Sequence, residues 1–248
     1  MESNQLRECM QKLLNLSVYS MDMQKHIIIS LGGSLIAPEN IDTEFIKNFV
    51  DVIKEYTSKG YRFGIITGGG RVARNYLDAI KIIATPTNVD LDWIGIASTR
   101  LNAELLRVAF GDLAYEQIIM DPDMIPATDK PVTLGGGWKP GNSSDLAAIH
   151  TAITLGAKKV INLSNIDYAY DKDPNVFPDA VKIESINWPE FRKILPLEWN
   201  PGLNAPFDPI AAEKAESAGI EVAIMNGKNL ENLKNYLDGK TFIGTVIK

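Results

Sequence analysis

The chain contains 248 residues, of which 45% are hydrophobic and 23% are charged, and its formal net charge is −6. This composition is typical of a globular protein with a sizeable core, and its acidic balance argues against a general nucleic-acid-binding surface. The single cysteine, Cys9, excludes an internal disulfide framework and fits a reducing compartment. No apolar run approaches the roughly 18 residues needed to cross a bilayer, and the N-terminus lacks the apolar core of a signal peptide. We therefore expect a cytoplasmic protein without nucleic-acid or membrane partners.

Residues 1–25 differ from the rest of the chain and form an N-terminal extension. Apolar residues recur there at helical spacing, namely Leu6, Met10, Leu13 and Leu14. This spacing favours a short amphipathic helix that docks on the body or on a partner; a loosely ordered leader is the alternative. Residues 26–248 form the main domain. A weaker break near residue 158 separates a lobe of about 26–157 from a lobe of about 158–248.

Strands and helices alternate along the main domain. Apolar runs predict strands at 26–31, 63–67, 118–120, 132–134, 160–163, 220–225 and 243–247. Apolar residues at helical spacing predict helices at 45–56, from Gly70 to about 84, 93–110, 145–156, 187–195, 208–218 and 229–237. This alternation predicts an α/β fold, a three-layer αβα sandwich with a mainly parallel central sheet.

Three glycine clusters each follow a predicted strand, at 32–33, 68–70 and 135–137. Ligands of open α/β sheets bind beyond the carboxyl ends of the strands. Glycine there lets the backbone approach a phosphate closely, and helix starts present N–H groups to anions. Tight turns without a ligand are the alternative. Because the chain has neither a P-loop pattern nor a G-x-G-x-x-G fingerprint, the clusters predict phosphate chemistry outside those two nucleotide folds.

The stretch 132–145, VTLGGGWKPGNSSD, combines a strand, a glycine triplet, hydroxyl residues and the start of a helix. We interpret it as the acceptor-side wall of a phosphate-handling site. The two histidines, His26 and His150, lie on predicted buried elements and are interpreted as structural. The sequence shows no zinc-ligand set and no Ser/His/Asp arrangement.

Taken in order, the motifs GGS, TGGGRVAR, DWIGIASTRLNA, GGGWKPGNSSD, SNIDYAYDKDP and FDPIAA resemble those of the amino acid kinase superfamily. Within it, the chain is most similar to the uridylate (UMP) kinases of the archaeal type, from Ile27 to Lys248. The resemblance implies phosphoryl transfer from ATP to UMP with Mg²⁺, in pyrimidine nucleotide biosynthesis. It also implies a homo-oligomer, a hexamer built as a trimer of dimers, with the helix 93–110 and its neighbours as the contact surface.

The resemblance also implies a set of site residues. The ATP side would comprise Gly33, Ser34, Gly70, Arg74, Ser164, Asn165, Tyr170 and Asp173. The UMP side would comprise Gly69, Asp92, Trp138, Lys139, Pro140, Gly141, Asn142, Ser143 and Ser144.

Three residues would act on the transferred phosphoryl group: Arg74, Asp145 and Asp208. The resemblance implies that the two aspartates organise Mg²⁺ and cationic groups, and we assign no side chain as a direct metal ligand. No general base is expected, because the phosphate of UMP is already an anionic nucleophile. The alternatives are that both aspartates only cap helices, that Arg74 is a solvated helix residue, and that Tyr170 packs in the core.

The sequence departs from the family pattern at Ser30, at Tyr168 and in the acceptor run, where Trp138 stands at the start and Ser143 and Ser144 replace the usual two threonines but keep the hydroxyl groups. Ser30 stands where many members carry a lysine, which removes one cation and leaves Arg74, Mg²⁺, amides and Lys139. Tyr168 replaces a usual glycine and would cause strain if that position needs a positive φ. Trp138 replaces a small polar residue, and it would either stack on a base or fill the pocket.

These departures leave two alternative functions open. One is a kinase of the same fold that acts on another small phosphate, carboxylate or carbamate. The other is a nucleotide-binding or anion-binding relative that has lost turnover.

Overall fold

The computed structural model describes residues 25–174, 176–196 and 205–248. The predicted amphipathic helix of the N-terminal extension therefore lies outside the described residues. The strands are β1 (His26–Leu31), β2 (Arg62–Thr67), β3 (Val132–Gly135), β4 (Lys159–Ser164), β5 (Ala169–Tyr170), β6 (Lys182–Ile183), β7 (Ser185–Ile186), β8 (Glu221–Asn226) and β9 (Thr245–Ile247). The helices are α1 (Gly33–Ile36), α2 (Thr43–Ser58), α3 (Gly70–Ile83), α4 (Asn88–Phe110), α5 (Ser144–Leu155), α6 (Trp188–Ile194), α7 (Pro209–Ala218) and α8 (Leu230–Leu237).

One seven-stranded sheet, in the order β3-β2-β1-β4-β8-β9-β7, forms the middle layer. Strands β3, β2, β1, β4 and β8 are mutually parallel, whereas β9 runs antiparallel to β8 and pairs in parallel with β7. Strands β5 and β6 form a separate two-stranded sheet. Because β1 pairs with both β2 and β4, both halves of the sequence contribute to one continuous sheet.

Alternate residues of the strands bury two separate cores. On β1, Ile27, Ile29 and Leu31 face a core that is completed by α2, α4 and α8. Ile28 faces the opposite core, to which α5, α6 and α7 contribute. Since side chains of a strand point alternately to its two faces, a strand buried on both faces is mainly apolar along its length. This confirms the predicted three-layer αβα fold.

Most predicted elements are confirmed to within a few residues, with two corrections. The strand predicted at 118–120 is wrong, because Ile119 forms only an isolated bridge to Gly135. Helix α4 begins at Asn88, five residues before the predicted start, because the Thr87 and Asp90 side chains make a reciprocal capping box. Strands β5, β6 and β7 and the short α1 were not predicted; each has only two to four residues.

Candidate active site

A cleft of about 850 Å³ opens at the carboxyl edge of the parallel strands. Of the predicted site residues, its lining includes Gly69, Gly70, Arg74, Asp92, Asn142, Ser143, Ser144, Asp145 and Asp208. Trp138, Lys139, Pro140 and Gly141 lie outside the lining, as do the predicted ATP-side residues other than Gly70 and Arg74. The three phosphoryl-transfer residues and five of the nine predicted UMP-side residues therefore line one cavity.

The first two glycine clusters contact each other through their backbones. A Cβ atom on Gly33 would lie 2.1 Å from the amide nitrogen of Gly70. Gly70 has φ +60°, and its own Cβ would lie 2.2 Å from the carbonyl oxygen of Gly33. Close packing therefore requires glycine at both positions, independently of any ligand.

Asp145 lies in the first turn of α5, and the N-cap of this helix is Ser143, whose side chain accepts from the amide of Leu146. The interpretation of Asp145 as only a cap is therefore wrong. Its Oδ1 accepts hydrogen bonds from Ser30 Oγ at 2.8 Å and from Asn162 Nδ2 at 2.9 Å. Burial raises the pKa of Asp145 to about 6; the charge of Asp208 acts in the same direction, and the hydrogen bond from Ser30 opposes it.

Asp208 caps helix α7 with one carboxylate oxygen and buries the other. Its Oδ1 accepts from the amides of Ile210 and Ala211, at 2.6 and 2.9 Å, and so caps α7. The residue is 4% exposed, and its Oδ2 is buried without a hydrogen-bond partner. A buried carboxylate oxygen without a partner is costly, so its persistence indicates that a ligand or water satisfies it.

The acceptor run is anchored to helix α4. The amide of Gly137 donates to Thr99 Oγ1 at 2.6 Å, and Arg100 donates to the carbonyl oxygens of Gly137 and Trp138 at 3.2 and 3.0 Å. Farther along, the amide of Gly141 donates to Asp92 Oδ2 at 2.7 Å. Thr99 and Arg100 were not predicted as site residues, although both lie in the quoted helix motif DWIGIASTRLNA.

The Trp138 ring lies outside the cleft lining, so it does not fill the pocket, and its stacking on a base stays a prediction. Its ring packs on His150 of α5, with 4.9 Å between ring centroids, and Lys139 Nζ lies 3.8 Å from the centre of the Trp138 ring. His150 in turn pairs through Nδ1 with Asp123 Oδ1 at 2.8 Å. The indole therefore packs on the side of the acceptor run that faces away from the cleft, and it leaves the cleft open.

On the donor side, Ser164 Oγ is buried without a partner, Asn165 is exposed and Tyr170 is half-buried in β5. Among the described residues, no residue other than glycine has a positive φ. Tyr168 therefore fits its position without the backbone strain that the sequence suggested. Its ring is covered by Lys182, whose Nζ lies 4.8 Å from the ring centre.

Two basic side chains line the cleft among the residues described, Arg74 and Lys81, both on α3. Arg74 is exposed, as expected of a side chain that is available to an anion. Ser30 is 3% exposed and supplies a hydroxyl, not a charge, at the end of β1. No group of three or more His, Cys, Asp or Glu side chains in the described part of the chain could hold a metal ion.

A mainly parallel α/β sheet with a glycine-lined cleft, an arginine and two carboxylates at its carboxyl edge defines a phosphate-binding α/β protein. Residues 25–226 match the model of the amino acid kinase family. The chain belongs to this family, and the resemblance found in its motifs is confirmed. None of the helices in the described ranges has the length and apolarity needed to cross a membrane.

Named relatives match nearly the whole domain. A uridylate kinase from Methanosarcina mazei is 34% identical over 221 residues, which cover 86% of this chain and 92% of that protein. A uridylate kinase from Staphylothermus marinus is 34% identical over 227 residues, covering 91% and 99%. The crystal structure of uridylate kinase from Archaeoglobus fulgidus superposes with a TM-score of 0.75 at 29% identity and covers 90% of this chain and 99% of that one.

Proposed function

We propose that this protein is a UMP kinase that transfers the γ-phosphoryl group of ATP to UMP, giving UDP and ADP. The observation that carries the proposal is the cleft that is lined by Arg74, by the end of the acceptor run at Asn142, Ser143 and Ser144, and by the carboxylates of Asp145 and Asp208. The names of relatives that match the whole domain support the choice of UMP. The proposal includes a cytoplasmic role in pyrimidine nucleotide synthesis.

The acceptor would be held by the wall of α4 and the start of α5. Asp92 uses Oδ2 to fix Gly141, and its other carboxylate oxygen would accept from a ribose hydroxyl. Ser143 and Ser144 line the same cavity at the start of α5, where backbone N–H groups would hold the acceptor phosphate. Arg74, on the opposite helix α3, would bridge the phosphates of donor and acceptor.

The donor would lie along the ends of β1 and β4. Gly33, Ser34 and Gly70 would hold the phosphates by their backbone. Ser164, Asn165, Tyr170 and Asp173 would hold the adenosine. The unpartnered hydroxyl of Ser164 supports this assignment, because the nucleotide would supply the missing partner.

Positioning and charge neutralisation would carry most of the rate acceleration, since the acceptor phosphate needs no general base. Mg²⁺ entering with ATP would neutralise charge on the donor phosphates. The residues fit this ion, because two neighbouring carboxylates lie at the cleft and Asp208 Oδ2 is buried without a partner. Asp145 and Asp208 would hold the ion and Arg74 in position beside the transferred phosphoryl group.

The proposal includes a homo-oligomer that covers one face of α4. This face is apolar and exposed over the length of the helix, with Trp93 49%, Leu101 62% and Val108 65% exposed. Val89 and Leu105 extend the same row at helical spacing. An apolar row of this length is typical of a surface that another copy buries, and a hexamer built from dimers is the arrangement that the resemblance implies.

An ADP-release assay tests the function, with MgATP and, separately, UMP, CMP, dTMP, AMP and carbamate. We expect turnover with UMP and its loss by at least about a hundredfold in Asp145→Asn, because a group that acts on the transition-state charge is removed. Asp78→Asn, a cleft carboxylate on α3, is the matched control and should retain most activity. A folded protein that binds ATP and phosphorylates none of these acceptors would refute the proposal.

A further inference from the structure

Asn102 is a buried side chain on α4 that does not belong to the proposed set of site residues. It is 1% exposed. Its side-chain Nδ2 donates to the carbonyl oxygen of Gly68 at 2.8 Å and to that of Gly69 at 3.3 Å. One carboxamide therefore holds two successive peptide groups in the turn between β2 and α3.

These two hydrogen bonds fix the direction of two amide groups at the cleft. In a trans peptide the carbonyl group and the N–H group of the next residue point in opposite directions, so the N–H groups of Gly69 and Gly70 point away from Asn102. Both glycines line the cleft. They are the N-cap and the first residue of α3, where an amide has no carbonyl partner within the helix.

The neighbouring amides of the same turn are already used. The amide of Gly68 donates to the carbonyl oxygen of Leu31 at 2.8 Å, and the amide of Arg71 donates to that of Ala37 at 3.0 Å. The turn is thus tied to β1 and to the end of α1, and Asn102 fixes the peptides in between. Glycine backbone adopts many conformations, so a side chain that holds its carbonyl groups sets the direction of the N–H groups.

The same turn of α4 also fixes the acceptor run. Thr99 Oγ1 accepts from the amide of Gly137 at 2.6 Å, and Arg100 donates to the carbonyl oxygen of Gly137 at 3.2 Å. The carbonyl oxygen of Thr99 accepts from Thr67 Oγ1, at the end of β2, at 2.8 Å. One turn of α4 therefore sets the second and third glycine clusters in place relative to each other.

We propose that Asn102 is a positioning residue of the phosphoryl-transfer site, which holds the amides of Gly69 and Gly70 so that they donate to oxygens of the phosphate groups in the cleft. The inference rests on the proposed function and adds to it a residue that touches neither substrate. Asn102 acts through the peptide groups, since it is buried and lies outside the cleft lining. Donors that are fixed before the substrate arrives need no reorganisation in the transition state.

Steady-state kinetics of Asn102→Ala with MgATP and UMP test this role. We expect kcat/KM for UMP to fall at least about tenfold, because donors that are no longer fixed bind the transferred group less well. Uridine has no phosphate, and its inhibition constant as a competitor of UMP should change by less than about twofold. A lost positioning group affects only the phosphate, whereas a loosened cleft weakens the binding of both ligands.

Asn232→Ala is the matched control for stability. Asn232 is also buried, and its side chain donates to the carbonyl oxygen of Ile243 and accepts from the amide of that residue, both at 2.7 Å and outside the cleft lining. Both variants should lower the melting temperature to a similar degree. Only Asn102→Ala should lower kcat/KM for UMP.

Asn102→Ser carries the test if the alanine variant does not fold. The serine hydroxyl can donate to the carbonyl oxygen of Ser98, four residues earlier in the helix, so no polar group is left unpaired on the side chain. It is too short to reach both carbonyl groups of the turn, so we expect the same loss of kcat/KM.

The outcomes separate this role from the kinase function. Wild-type kcat/KM for UMP in a folded Asn102 variant, or an equal weakening of UMP and uridine, overturns the positioning role and leaves the kinase assignment intact. A wild-type protein that phosphorylates no acceptor refutes the kinase assignment. Isothermal titration calorimetry with inorganic pyrophosphate then decides on Asn102: binding at least about tenfold weaker in Asn102→Ser than in Asn232→Ala retains the role, and equal or undetectable binding overturns it.

Discussion

The two walls of the cleft are built differently. On the acceptor side, α4 fixes the backbone of the run, because Arg100 donates hydrogen bonds to it and Thr99 and Asp92 accept hydrogen bonds from it. On the donor side, Ser164 Oγ has no partner. The loop that follows is held by the buried hydrogen bond from the amide of Ala169 to Thr245 Oγ1 at 2.9 Å and by exposed contacts such as Asn226 Nδ2 to Asp167 Oδ1 at 3.0 Å. The acceptor wall is therefore preorganised, whereas the donor wall leaves hydrogen bonds for its ligand to complete.

This difference indicates where selectivity resides. Under the proposed function, a rigid acceptor wall would discriminate between acceptors by shape before chemistry. On the donor wall, the nucleotide would complete the hydrogen bonding of Ser164. Variants on the two walls should therefore affect different kinetic constants. They should also lower the free energy of unfolding by different amounts.

The largest effect is expected from Thr99→Ala. It leaves the buried amide of Gly137 without its acceptor, which should lower the free energy of unfolding by about 2 kcal/mol, and raise the KM for UMP. Ser98→Ala is the matched control, because the Ser98 hydroxyl only donates back to the carbonyl of Ile94. Urea unfolding and steady-state kinetics measure both; equal losses in the two variants would show that the anchor on Gly137 contributes nothing.

Trp138→Ala should lower the free energy of unfolding by about 1–1.5 kcal/mol, because the aromatic contact with His150 is lost at a half-buried site. Since the indole lies outside the cleft lining, the ratio of kcat/KM for UMP and CMP should stay the same. Lys139→Ala tests the exposed partner of the ring separately. A changed UMP-to-CMP ratio in Trp138→Ala would place the indole in substrate recognition after all.

Tyr168→Gly should lower the free energy of unfolding by about 0.5–1 kcal/mol, because glycine raises the entropy of the unfolded chain and relieves no strain at this position. The affinity for ATP should not improve, as an equilibrium titration would show. Tyr168→Phe is the control that keeps the ring under Lys182. Tighter ATP binding in the glycine variant would restore the view that tyrosine distorts the donor loop.

The smallest effect on stability is expected from Asn226→Ala. The Asn226 side chain makes two exposed hydrogen bonds, to Asp167 and from the amide of Lys228, so their loss should lower the free energy of unfolding by less than about 1 kcal/mol. The KM for ATP should rise while the KM for UMP stays constant. Asn48→Ala, on the exposed side of α2, is the reference for a surface asparagine. A raised KM for UMP would contradict the separation of the two walls.

The fold could be predicted from the sequence because buried parallel strands are continuous apolar runs and the helices repeat at their own period. The run at 118–120 was mistaken for a strand because its residues are apolar. In the structure only Ile119 pairs, through one bridge to Gly135. The early start of α4 was signalled by Thr87 and Asp90, which form a capping pattern that the apolar spacing did not include.

Sequence alone could predict only those site residues that lie within a recognisable motif. Asp145 and Asp208 are recognisable in sequence, but the support of Asp145 by Ser30 comes from 115 positions away. Trp138 packs on His150, which belongs to a different element. Asn162 lies within an apolar strand, so the sequence predicts a core residue there and does not indicate that its side-chain oxygen lacks a partner. Such contacts depend on how the elements pack, which local spacing does not encode.

The backbone contact between Gly33 and Gly70 has a consequence for how this chain can change. At most core positions an enlarged side chain can be accommodated by trimming its neighbour, so second-site suppressors exist. Here the atoms that a new Cβ would meet belong to the main chain of the other loop, and no neighbouring substitution can remove them. The two glycines should therefore resist rescue in any suppressor screen, and a variant that tolerates alanine at either one would have had to move a strand end.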